Sequence, residues 1–186
     1  PRRRNRQVAG GPRSGMGLLL SASYVVHVLS ALFWIGAVLF VAYLYLPGRT
    51  DGTPVDLGWT LDRLLRVTRW TGVALPVSGL YQIWVLYPIA RLLGSTRGHL
   101  VLGMFLLWGI MNGLVEVGVY RARTVDGSRP SLGAYMAEGV GVDGGLSRDH
   151  AAEARSTVRP YLLGGVLLSV LLGVDAALLA GGLAAL

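Results

Sequence analysis

Residues 17–46 read GLLLSASYVVHVLSALFWIGAVLFVAYLYL and carry no charged side chain. A membrane-spanning helix needs about 20 consecutive apolar residues, so this stretch is long enough to cross a bilayer. A signal peptide is the rival interpretation, since arginines precede the stretch. The apolar run is too long for a signal sequence, however, and lacks a clear small-residue cleavage site. We therefore predict that it forms the first transmembrane helix.

Three further apolar blocks follow, at about 70–90, 99–120 and 160–184. The link between the second and third blocks, 91–98, is short, so these two helices are expected to form an antiparallel hairpin. The sequence thus predicts an all-α fold, an integral membrane bundle of four transmembrane helices within residues 16–186.

The polar segments define the two ends of this bundle. The Arg-rich tail 1–15, expected to lie at the membrane surface, and the link 91–98 share one side of the membrane, side A. Residues 47–69 and the polar loop 121–159 share the other, side B. Part of the 47–69 segment predicts an interfacial helix, because charged side chains three or four apart share one face: Asp62, Arg63, Arg66 and Arg69.

The composition also indicates a membrane protein. Hydrophobic residues make up 53%, mean hydropathy is +0.54 and charged residues only 15%, against about 25% in soluble domains. The net charge of +7 includes a cluster of arginines before the first helix, which favours anionic lipid headgroups over nucleic acid as the partner. Cysteine and lysine are absent, which excludes disulfides, iron–sulfur clusters and a retinal Schiff base. A lysine-free chain rich in Ala, Gly, Leu, Val and Arg is typical of high-GC prokaryotes, so we expect a prokaryotic inner membrane protein.

Polar groups deep in a bilayer are expensive, so each one is a functional hypothesis. At 1.5 Å of rise per residue, His27 lies about 13 Å in from side A. Gln82 and Asp175 lie at similar depths, and His99 lies nearer the surface. Four helices thus bring polar groups into one half of the bilayer, as in bundle-core cofactor and metal sites. The candidate metal ligands are His27, His99 and Asp175, and the candidate cofactor contacts are His27, His99 and Trp34.

A structural explanation of the same residues is equally open. His27 can bond a backbone carbonyl, His99 can lie at the water interface, and Asp175 can pair with an arginine or line a small wet cavity. Trp34 can fill the core of the bundle. Glu116 comes close to side B, where it can meet headgroups or pair with an arginine at the end of its own helix.

The first helix carries a pattern with some specificity. His27 is followed by Trp34-Ile-Gly36, and the helix ends at Leu46-Pro47. This segment resembles the first helix of the copper-resistance protein D (CopD)-like membrane proteins and of the related HemJ-type protoporphyrinogen oxidases. The resemblance implies that His27 handles haem b or copper in a redox or electron-transport role, with His99 as the nearest candidate for a second ligand.

The main alternative is a non-catalytic accessory subunit of a larger respiratory or photosynthetic membrane complex, which would bind no cofactor. Copper transport ranks third, because it needs ligands across the whole membrane and the polar groups occupy one half. Small residues about four apart favour close helix approach, within the bundle, in self-association or against other membrane subunits: Gly109, Gly113, Gly164, Gly165 and Gly173.

Overall fold

The computed structural model describes residues 13–46, 56–141, 144, 146 and 148–181. Most of the predicted surface tail, residues 1–12, lies outside the described residues. Within the described ranges the chain is all-helical and contains no β-strand. The helices are α1 (Arg13–Tyr45), α2 (Leu57–Leu86), α3 (Ile89–Gly94), α4 (Thr96–Arg123), α5 (Leu132–Ala137) and α6 (Ala151–Ala180), with a 3₁₀ turn at Arg148–His150.

Three of the described helices are long and apolar enough to cross a bilayer, namely Gly15–Tyr45 of α1, α4 and α6. They indicate a multi-pass membrane protein in a lipid bilayer. The fourth long helix, α2, is not among them. Its first half carries four charged residues, from Asp62 to Arg69. The prediction of four spans therefore stays a prediction for α2.

The four long helices form a ring in the order α1, α2, α4, α6. The most extensive contacts join α4 to α6 and α1 to α2, and smaller contacts between α1 and α6 and between α2 and α4 close the ring. Antiparallel packing of α1 and α2 follows from two hydrogen bonds at their opposite ends: Gln82 bonds the Ser23 carbonyl, and the Tyr45 and Thr60 hydroxyls bond each other. α1 and α4 are diagonal to one another across this ring.

Helix α2 begins at Leu57, not near Trp70 as predicted. The Asp56 carboxylate caps it by accepting hydrogen bonds from the backbone N–H groups of Gly58 and Trp59, at 2.8 and 3.4 Å. The charged segment that was expected to form a separate interfacial helix is continuous with the apolar segment. It remains in the bundle because an apolar stripe runs through it to the core: Leu57, Leu61, Leu64 and Leu65, all buried.

The remaining helix ends also differ from those predicted. α2 ends at Leu86, ahead of Pro88, and the short α3 follows it. α4 extends beyond the predicted 99–120 at both ends. α6 begins at Ala151, inside the predicted polar loop 121–159, and its described part ends at Ala180. The loop between α4 and α6 is therefore shorter than predicted, and it contains α5 and the 3₁₀ turn.

Glycine sets the closest contacts of α6 with its neighbours. A Cβ built at Gly118 would lie 2.7 Å from Tyr161 Cβ, and one at Gly165 would lie 3.0 Å from Val38 of α1. Gly164 likewise faces Leu114 of α4 at 3.0 Å. Side chains this close leave no room for a methyl group on these glycines. Because lipid provides no hydrophobic driving force between helices, dispersion contacts of this kind stabilise their packing. The other glycines predicted to favour close approach face open space within the chain: Gly109, Gly113 and Gly173.

We expect Gly118→Ala to destabilise the protein by about 1–3 kcal/mol, because the new methyl group overpacks the α4–α6 contact at Tyr161. Gly113→Ala on the same helix is the matched control. It meets no atom within 4 Å and should be neutral or stabilise by about 0.5–1 kcal/mol through the lower helix propensity of glycine. Denaturant unfolding in detergent micelles, followed by circular dichroism, measures both. Equal effects of the two substitutions would contradict the close contact.

Candidate functional site

The His27 ring is held against α2 by one of its two nitrogens. Nδ1 lies 3.1 Å from the Leu75 carbonyl oxygen and 3.1 Å from the Ser78 hydroxyl. A carbonyl can only accept, so Nδ1 carries the proton and donates it. The Ser78 hydroxyl itself lies 2.6 Å from the Ala74 carbonyl, to which it donates. This tautomer leaves Nε2 with a free lone pair, and no described residue bonds it.

Glycine and glutamine complete this contact between α1 and α2. A Cβ at Gly79 would lie 3.0 Å from His27 Cε1, so the absence of a side chain there lets the Nδ1–Cε1 edge of the imidazole approach α2. One turn further towards side A, the Gln82 amide donates to the Ser23 carbonyl at 3.2 Å. Polar bonds from successive turns of α2 thus hold α1 at His27 and at Ser23.

Asp175 is the second polar group at this depth. It is buried on α6, and neither carboxylate oxygen has a hydrogen-bond partner among the described residues. Oδ2 faces Gly103 of α4, 3.7 Å from where a Cβ would lie. The contacts between α1 and α6 place Asp175 at about the level of His27, but the imidazole faces α2 while the carboxylate faces α4.

The structure does not bring His99 to His27. His99 is exposed at the start of α4, and its Nε2 lies 2.8 Å from the Leu93 carbonyl of α3. Trp34 is fully buried in the core, where its ring lies beside Gly72 of α2. Among the described residues no group of three His, Cys, Asp or Glu side chains is placed to hold a metal ion.

A second polar site lies at side B, and sequence reasoning did not anticipate it. We call it the arginine network. Its first half joins Arg69 of α2 to Glu116 of α4 through two parallel bonds of 3.0 and 2.9 Å. Arg69 Nη1 also donates to the backbone carbonyls of Tyr135, Met136 and Glu138 at the end of α5. The Tyr135 hydroxyl donates to Glu116 Oε2 at 2.8 Å.

The other half of the arginine network centres on Arg123, the last residue of α4, which is 3% exposed. Its guanidinium pairs with Asp62 of α2 and lies 3.3 Å from Glu138 of the loop. The Gly144 backbone N–H donates to the same Asp62 carboxylate at 3.0 Å. Two helices and two points of the loop are thereby tied to one buried cation.

The network explains how a largely polar loop is held on a membrane bundle. A buried charge is stable only when it is paired and hydrogen-bonded, and here the partners of both arginines come from α2, α4 and the loop. The one sequence signal was Glu116, an acid inside a predicted span. Its nearest arginines in sequence are Arg121 and Arg123, but the antiparallel packing of α2 and α4 brings Arg69 to it instead.

Comparison with models of protein families, with curated proteins and with solved structures finds no match for this chain.

Replacing Arg123 by methionine should lower the free energy of unfolding by about 3–5 kcal/mol, because two buried carboxylates lose their cation. Arg121→Met on the same helix is exposed and should change it by less than about 1 kcal/mol. Adding Glu138→Gln to Arg123→Met should recover part of the loss, since one of the two unpaired charges is then removed. Denaturant unfolding in micelles measures all three variants. A mild effect of Arg123→Met, similar to that of Arg121→Met, would contradict the network.

The Tyr135 phenol predicts a pH dependence. Burial, followed by the charge of Glu116 and the bond to it, raises the pKa of Tyr135 above its ordinary value of 10.0. The stabilisation from the neutral phenol is complete below pH 10, and it is lost as the pH rises towards the higher folded-state pKa, because only the unfolded chain then ionises. We expect unfolding free energy to fall above about pH 10 by up to ~1.4 kcal/mol per pH unit for this group.

Tyr135→Phe should remove this alkaline component, as seen in unfolding curves collected from neutral to alkaline pH. Tyr43→Phe is the control, because Tyr43 is 69% exposed and takes no part in the arginine network. Identical alkaline slopes in wild type and Tyr135→Phe would show that the phenol makes no such contribution.

Proposed function

We propose that this chain is a four-span membrane protein of the CopD/HemJ-like type, in a prokaryotic cell membrane, that binds haem b through His27. The observation that carries the proposal is the His27 ring itself. Its Nδ1–H is held by the Leu75 carbonyl, and no described residue takes up the lone pair of Nε2. Histidines that bind metals usually donate their other ring N–H to a carbonyl or carboxylate, which orients the ring and fixes the tautomer.

The direction of the helices supports α2 as the fourth span. α1 and α4 are both antiparallel to α6, so α1 and α4 run the same way across the bilayer. The chain therefore has to return between them, and α2 is the one long described helix in that interval. Its apolar part, from Trp70 to Leu86, is about 25 Å long at 1.5 Å per residue, close to the ~30 Å hydrocarbon core.

The donor set favours haem over a bare metal ion. A copper or zinc ion needs three or four protein ligands, and the described residues offer no such group. Haem iron already has four ligands from its porphyrin and needs only one or two from the protein. When bound, haem would supply the redox or ligand-binding chemistry, while His27 would hold the iron and the Leu75 carbonyl would orient the imidazole.

His99 is a weaker second ligand than the sequence predicted. It lies on the helix diagonal to α1, at the exposed start of that helix. The proposal therefore assigns the haem one protein ligand from this chain. His27 would hold the iron, and no second described residue is assigned to it.

The optical spectrum of the purified protein, expressed in a haem-producing host, tests the proposal. We expect a Soret band and dithionite-reduced α and β bands in wild type, and their loss in His27→Ala with partial recovery on adding imidazole. His99→Ala, the matched control, should keep the Soret band. A featureless wild-type spectrum in a well-folded sample, or a band lost in His99→Ala and kept in His27→Ala, would overturn the assignment.

A specific observation favours the accessory-subunit alternative. Three apolar side chains are exposed on the loop outside the spans: Leu132 at 76%, Met136 at 54% and Val140 at 55%. The Arg69 bonds to the end of α5 hold this apolar surface in place, as suits a docking site for another membrane subunit. A colourless, well-folded protein whose co-purification with another subunit is lost on Leu132→Asn with Met136→Gln would favour this function over haem binding.

A further inference from the structure

An apolar groove runs along the outside of the α1–α2 pair in the half of the bundle nearest side B. It has a volume of about 330 Å³. Its walls include Phe33 and Phe40 of α1, which are 63% and 58% exposed. Between them lies Gly36, where an added Cβ would find no atom within 4 Å. Glycine thus leaves a recess between two aromatic side chains on a surface that faces lipid.

One end of this groove is charged. Arg63 of α2 lines it and is exposed, with its guanidinium 5.3 Å from the centre of the Trp59 ring. No described acidic side chain lies within ion-pair distance of Arg63, in contrast to Arg69 and Arg123. The groove therefore combines an apolar channel with a cation that has no acidic partner among the described residues and that lies beside an interfacial tryptophan.

The depth of the groove matches one leaflet of the bilayer. From Val41, near Arg63, to Leu32 it follows α1 for about 13 Å at 1.5 Å per residue. Half of a ~30 Å hydrocarbon core is about 15 Å. Arg63 lies near the side-B end of α1, at the level of the Arg123 end of α4. The cation thus lies at headgroup depth and the channel reaches towards the bilayer centre.

We infer that this groove is a binding site for one anionic phospholipid, whose phosphate pairs with Arg63 and whose acyl chain lies over Gly36 between Phe33 and Phe40. An acyl chain suits a narrow channel that is almost wholly apolar, and a phosphate suits the guanidinium through charge-assisted hydrogen bonds. The exposed guanidinium at one end of the channel favours an anionic headgroup over the apolar face of another helix. The inference depends on membrane embedding and is independent of haem binding.

Native mass spectrometry of the full chain tests the site. The protein is released from micelles that contain equal amounts of phosphatidylglycerol and phosphatidylcholine. We expect wild type to retain one phosphatidylglycerol in preference to phosphatidylcholine. Arg63→Gln should reduce that preference by about fivefold, the factor that corresponds to the interaction of one surface arginine with an anionic headgroup. Gly36→Leu should abolish retention of either lipid, because the side chain fills the channel.

Two matched controls share the chemistry of the variants without the groove. Arg121→Gln removes another exposed arginine that lies over an aromatic ring, 5.7 Å from the centre of Tyr161. Gly113→Leu adds the same side chain at another glycine with open space around it. Both should retain the lipid as wild type does. Helicity and thermal unfolding establish that every variant is folded, and Arg63→Gln keeps the test valid if Gly36→Leu fails to fold.

The inference is overturned if Arg63→Gln and Arg121→Gln lower lipid retention equally, since the binding is then unspecific surface charge. It is also overturned if wild type shows no preference for the anionic lipid. If Gly36→Leu leaves lipid retention intact but disperses a dimer, the occupant is a second copy of the chain and the lipid assignment is wrong. The optical spectrum is a separate readout, because Arg63→Gln and Gly36→Leu leave His27 untouched.

Discussion

A polar group inside a bilayer has to find its hydrogen-bond partner within the protein, because the hydrocarbon offers none. This constraint accounts for the all-helical fold of the described chain. It also determines where the polar side chains form their hydrogen bonds. The Thr68 and Ser169 hydroxyls bond carbonyls of their own helices at 2.9 and 2.8 Å. His27 bonds a carbonyl of the neighbouring helix. Asp175, whose two oxygens have no described partner, departs from the rule, as do the buried indole N–H groups of Trp34 and Trp108.

The arginine network follows from the same constraint applied to charge. Asp62 and Arg69 are seven residues apart and so share one face of α2, and that face turns towards α4 and the loop. Arg63, next to Asp62 in sequence, is about 100° away around the helix and falls on the outer surface. One helical segment thus provides both the buried cation that binds the loop and the exposed cation of the groove.

Such pairs contribute more to geometry than to stability. Replacing a buried ion pair by apolar residues is often neutral, whereas removing one member is strongly destabilising. The network therefore fixes the alignment of α2 and α4 and the position of α5, because any other alignment leaves Arg69 or Arg123 without its carboxylates. The network also holds Tyr135 on the buried face of α5, whereas Leu132 and Met136 of the same short helix are exposed.

Local sequence patterns were sufficient for the helical class and for the apolar blocks, since each depends on a single segment. They were insufficient where two segments meet. The start of α2 was predicted too far along the chain. The charged residues after Asp56 indicated an end to the apolar segment, although the leucine stripe continues through them. The partner of Glu116 was missed because Arg69 is distant in sequence, and only the alignment of α2 against α4 brings the two together. His99 was predicted in the same half of the bilayer as His27, but that prediction does not specify position around the ring.

The two helix pairs of the ring differ in what they offer to other molecules. α4 and α6 pack through glycines against large side chains, as at Gly118 and Tyr161, and a contact of that kind leaves no space between the helices. α1 and α2 meet instead through polar bonds, and their glycines leave recesses: Gly79 accommodates the imidazole, and Gly36 opens onto lipid. Within the described ranges, no residue shares the Nε2 lone pair of His27, towards side A, or pairs with the charge of Arg63, towards side B. The α4–α6 pair therefore forms the scaffold, and the α1–α2 pair carries both proposed ligand-binding positions, one in each half of the membrane.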